Sequence, residues 1–194
     1  MRRSLPVIVL LVVAVTTFSA CGSDGKASST SDGKQYVDAL VKGYDASNAK
    51  DVFTRPQAVC ISTHVVDAVG VDALKKSGVS PTDLAGKGSF QLLGSKLSGA
   101  DRQRVGNVFV SDECFQLVDV LLKSGAGSTF ARVPKAKVRC IFTTLASPSA
   151  ARQAFANSLL GRPGADAQVK TAFSNPLKIV DALSKCKVDP SLIR

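Results

Sequence analysis

The chain has 194 residues, 45% of them apolar and 21% charged, a mixture that supports a folded core and excludes wholesale disorder. With no Trp and a single His, most His-based metal and catalytic sites are removed at the outset, and stacking on nucleic-acid bases is poorly served. Five Cys and a formal charge of +10 are the features that need a reason.

Arg2 and Arg3 precede the apolar run Val7 to Val15, and Thr16-Thr17-Phe18-Ser19-Ala20 lead into Cys21. A charged start, a short apolar stretch and a small-residue zone make residues 1–20 an export signal. The run is too short to cross a bilayer, which takes about twenty apolar residues. Phe18-Ser19-Ala20-Cys21 resembles the lipobox of bacterial lipoproteins, with Phe18 where that family has an aliphatic residue. The resemblance implies that Cys21 carries a diacylglycerol thioether, becomes the mature N-terminus and holds the protein at the outer face of the cell membrane. Residues 1–20 are thus expected to be a lipoprotein signal peptide. Residues 21–34, polar and without an apolar period, are expected to be a lipidated flexible tether.

Cys60, Cys114, Cys140 and Cys186 are left, an even number in an oxidising compartment, so two disulfides are expected. Three connectivities are open. Without a C-x-x-C pair and with one His, a metal site is disfavoured, and no metal or cofactor is expected.

Apolar residues recur at helical spacing along residues 35–194. Val37, Leu40, Val41 and Tyr44 form one stripe, and Ala58, Ile61, Val65, Ala68 and Val69 a second. Val71 to Gly78 reads as a short helix closed by glycine, and Ser80-Pro81 as an N-cap followed by proline. Residues 86–99, with four glycines, read as the loosest internal stretch. Ser98 and Asp101 resemble a capping box opening a long or once-broken helix over about 99–123. Val138, Ile141, Phe142 and Leu145 mark the next helix, Ser147-Pro148 starts another, and one or two more run from Val169 to Cys186. Strand signals are scarce. The expected fold is all-α, a compact bundle of about six to nine helices.

The two halves run in parallel. Cys60 and Cys140 each open a helix, and Cys114 and Cys186 each lie beside an apolar Val-Asp segment, in Phe115 to Leu122 and Leu177 to Leu183. Two similar units, 35–125 and 132–194, with bridges 60–114 and 140–186, are therefore candidates. In Cys60 to Val79 followed by Leu97 to Asp101 the chain resembles a group of actinobacterial exported proteins of unknown function with tandem Cys-bracketed helical units. That resemblance implies an envelope setting and no activity.

Chemistry is sparse. His64 could pair with Asp67, one turn away, but no G-x-S-x-G elbow supplies a nucleophile. Asp112-Glu113 is the only adjacent acidic pair, and neighbours on a helix point about 100° apart. Gly86-Lys87-Gly88 and Gly125-Ala126-Gly127 lack the other residues of phosphate loops. Arg132, Lys135, Lys137 and Arg139 are candidate contacts with anionic headgroups or acidic envelope polymers. These features together predict a non-enzymatic interaction or accessory module, membrane-bound through Cys21, with no nucleic acid as partner and no catalytic residues. A carrier of a lipid or other apolar ligand between helices is the alternative, and a carboxylate-based hydrolase the second.

Mass spectrometry of membrane fractions should find Cys21 acylated, and a Cys21→Ala chain should leave the membrane. If that variant stays bound, the anchor is wrong.

Overall fold

The computed structural model describes residues 26–47, 53–123 and 130–193. The signal segment 1–20 and Cys21 lie outside the described residues, which form eleven α-helices, two short 3-10 turns and no strand. The expected all-α architecture is the observed one, with eleven helices among the described residues where about six to nine were expected.

Helix starts follow local chemistry. Helix α1, Ser31–Asp45, is capped by the Thr30 hydroxyl, which accepts from the Gly33 N–H. Helix α2, Arg55–Val69, begins with a complete capping box between Thr54 and Gln57, and Pro56 stands where a missing N–H costs nothing. Helix α3, Val71–Lys76, is short, and α4, Pro81–Leu84, has a second box between Ser80 and Asp83. The Ser80 hydroxyl and N–H hold the Asp83 carboxyl below the usual carboxylate range. This cap is complete above about pH 4 and is lost as pH falls through the lowered value.

The 86–99 stretch departs from the loose segment expected of it. It forms α5, Ser89–Lys96, and Leu93 and Leu97 are fully buried there. Gly94 serves packing rather than looseness, since a Cβ built on it would lie 1.9 Å from the Leu160 carbonyl oxygen. The 99–123 segment is a once-broken helix: α6, Gly99–Val110, and α7, Leu117–Lys123, are separated by a bend that holds Asp112, Glu113 and Cys114. Then come α8, Lys135–Ala146; α9, Ser149–Leu159; α10, Ala165–Ser174; and α11, Pro176–Lys185.

The tether also needs correction. From Ala27 the chain is built into the fold: a 3-10 turn at Ala27–Ser29 docks on α2, where the Ser28 N–H donates to Asp67 Oδ1 at 2.8 Å. A Cβ on Gly33 would stand 1.8 Å from the Ala27 carbonyl oxygen, so the turn closes on α1 only because that residue is glycine. Of the expected tether 21–34, residues 21–25 lie outside the described residues.

Two cores organise the helices. Leu40, Ile61, Val65, Leu74, Leu84, Leu93 and Val105 centre the first, and Ile141, Phe142, Leu145, Ala182 and Leu183 the second. The disulfides are Cys60–Cys114 and Cys140–Cys186, one spanning each core. In the chain-entropy model each closed loop contributes about 4 kcal/mol. The cores do not, however, respect the 35–125 and 132–194 boundary. Ala156 and Leu160, in and just after α9, are buried in the first core, while Leu117 and Leu121 of α7 are buried in the second. Phe155 packs against both. The halves are interlocked, not tandem.

Two substitutions test this packing by urea unfolding. Gly94→Ala should cost about 1–3 kcal/mol, because the Leu160 backbone must give way; no loss would contradict the close approach. Ser62, 1% exposed with no partner for its hydroxyl, should tolerate Ser62→Ala neutrally or gain up to about 1 kcal/mol. A clear loss would mean that the hydroxyl is satisfied.

Candidate functional site

The four cations expected to face an anionic surface have separate positions. Lys137 turns inward along the protein and donates from Nζ to the Cys186 carbonyl oxygen at 2.7 Å, at the C-terminal end of α11. A cation at that end satisfies an orphan carbonyl and opposes the helix dipole, so this lysine is structural. Arg139 pairs with Asp119 of α7 at 2.7 Å. Arg132 and Lys135 are exposed, without an ion partner among the described residues. The surface cation cluster of the sequence is therefore reduced to two free side chains and one paired guanidinium.

Two of those three, Lys135 and Arg139, border a cleft. Between the end of α7 and the start of α8 lies a half-open space of about 580 Å³, lined by Leu122, Phe130, Ala131, Val133, Ala136 and Val138, with Lys135 and Arg139 on its wall. Phe130 and Val133 are buried because the turn before α8 folds them onto the second core, where Phe130 meets the Phe142 ring edge-on at 5.6 Å. The walls are aliphatic and aromatic and the charge is positive. Such a space suits a molecule with an apolar body and an anionic group.

A second surface lies on α11. Its inner face buries Ala182 and Leu183, but Leu177 is 81% and Val180 58% exposed, one turn apart beside the exposed Lys178.

The third assembly surrounds His64. Asp67, which could have paired with His64, accepts instead from the Ser28 N–H through Oδ1. His64 Nδ1 instead lies 3.3 Å from Glu113 Oε2. The acidic turn is shared between two helices: Glu113 faces α2, while Asp112 accepts from Arg152 of α9 through both oxygens at 3.1 Å. Arg152 also donates to the Val110 and Ala146 carbonyls, so one guanidinium ties the ends of α6 and α8 to the turn. Cys60, His64 and Cys114 present ligand atoms that all lie within 4.8 Å of one another. Sequence reasoning left this grouping unread, although its signal was present: Cys60 and His64 are one helical turn apart, and a 60–114 bridge delivers Glu113 to the same face.

No family model, no curated protein and no solved structure matches the chain.

Arg152→Ala removes three charge-assisted anchors and should lower stability by about 1.5–3 kcal/mol in urea unfolding. A variant as stable as the parent would show that the acidic turn is held by the disulfide alone.

Proposed function

We propose that the chain is a membrane-anchored cell-envelope lipoprotein acting as a non-enzymatic binding module. The lipobox-like Phe18 to Cys21 supports the anchor. The single observation that carries the binding role is the cleft between α7 and α8, whose volume of about 580 Å³ falls in the range of small-molecule sites. Its occupant is an amphiphile: an acyl or similar body against Leu122, Phe130, Val133 and Val138, with an anionic group near Lys135 and Arg139. Because Arg139 is oriented by Asp119, the cation keeps its place at the wall without a bound ligand. This reading joins the interaction role to the carrier alternative, since a protein anchored through an acylated Cys21 would be held at the lipid layer. A protein-docking role is a second reading, favoured by exposed Leu177 and Val180 on α11.

Neither reading assigns an acid or a nucleophile to substrate. In support, the candidate hydrolase groups have structural partners, Asp112 with Arg152 and Asp67 with Ser28.

A fluorescent long-chain fatty acid tests the cleft. It should bind the parent chain, and Ala136→Trp, a change at an exposed wall position, should weaken binding at least about tenfold without altering helix content. Lys135→Glu should weaken it too, most at low salt. Binding unchanged in both variants would sink the cleft assignment, and retained binding to apolar alcohols with loss of acids would confirm the role of the cation.

A further inference from the structure

We infer that Cys60, His64 and Cys114 form a redox-gated site for a thiophilic d10 metal ion such as Zn(II), closed while the disulfide is intact and open when it is reduced. The three donors already converge within 4.8 Å. Tetrahedral zinc takes sulfur at about 2.3 Å and imidazole nitrogen at about 2.0–2.1 Å, so its ligands stand roughly 3.5–3.8 Å apart. Parting the sulfurs is then the main movement required. Glu113, with Oε2 3.3 Å from His64 Nδ1, orients the imidazole as carboxylates do behind metal-bound histidines, and is a positioning residue.

The backbone around the site does not depend on the S–S bond for its placement. On one side of Cys114, Asp112 is held by Arg152. On the other, Phe115 is buried and meets Phe53 edge-on at 4.9 Å. Cys60 precedes Ile61, fully buried in α2, and its Cα is 5.5 Å from that of Cys114. After reduction both thiols therefore stay in reach of His64. Side-chain exposures of 39% for His64 and 65% for Glu113 leave a path for an ion.

The other bridge lacks this chemistry. Cys186 is buried, and the neighbouring side chain near its sulfur is Thr144, at 3.8 Å. His64 is the only imidazole of the chain, so one disulfide is a plain cross-link and the other a latent ligand pair.

The step balances with a dithiol reductant. Two electrons open the S–S bond, the reductant leaves as its own disulfide, and its two protons reside on Cys60 and Cys114. Metal capture releases both protons and forms two metal–thiolate bonds and one metal–imidazole bond.

The test uses the full chain with Cys21→Ser, which leaves Cys140 and Cys186 as the competing thiols after reduction, and Co(II) as a spectroscopic stand-in for Zn(II). Oxidised protein should show no thiolate–cobalt charge-transfer band. After phosphine reduction, one Co(II) per chain should bind with that band, and Zn(II) should displace it. The band should persist in Cys140→Ser/Cys186→Ser. It should be lost or greatly weakened in His64→Ala, a half-exposed position whose oxidised form should keep parental helix content. Glu113→Gln should weaken binding by about 10–100-fold. Absence of the band once thiol counting shows Cys60 and Cys114 free overturns the site, and so does a band that His64→Ala leaves unchanged.

Discussion

The approach of Leu160 to Gly94 is the contact on which the arrangement of the second half depends. A methyl group at Gly94 would occupy the place of the Leu160 carbonyl, so α5 and the end of α9 meet backbone to backbone. That contact sets Leu160 and Ala156 in the first core, while α7, a product of the first half, turns the other way and gives Leu117 and Leu121 to the second. Each core thus closes with residues drawn from the other half of the chain. Phe155 of α9 packs against both cores, so this helix links the two.

The helices were legible wherever local chemistry decides. Ser80 with Pro81 and Ser98 with Asp101 are short-range devices, and the structure uses each at the expected helix start. Four glycines in 86–99 misled for a physical reason. Glycine signals freedom when nothing approaches it and close packing when a backbone does, and only the fold tells the two apart. Residues 27–34 were obscured in the same way: Gly, Ser and Asp look like linker composition, yet Ser28 and Gly33 are fixed by Asp67 and Ala27. The partition of the cores was illegible because an apolar stripe states that a helix has an inner face, not which core the face meets.

Charge follows the same logic. Four cations in eight residues suggested one electrostatic surface, but a lysine or arginine acts according to the nearest unpaired acceptor. Lys137 finds the end of α11 and Arg139 finds Asp119. Formal charge counts these groups equally with Arg132 and Lys135, although only the latter two are free to meet a distant anion. What distinguishes the α7–α8 cleft is therefore not the number of cations but their position beside apolar walls.

The same interlock bears on the first disulfide. Arg152, which holds Asp112 in place, belongs to α9, and α9 is seated by Leu160 in the first core. The acidic turn is thereby fixed from the second half of the chain, while Cys60 and His64 are fixed from α2 in the first. A covalent bond between sulfurs whose backbones are already placed contributes less to the native geometry than to limiting the unfolded chain. Opening it costs stability without dispersing the donors. That separation between what stabilises the fold and what arranges the ligands is the condition under which one cysteine pair can serve as a cross-link in an oxidising setting and as metal-binding thiolates in a reducing one.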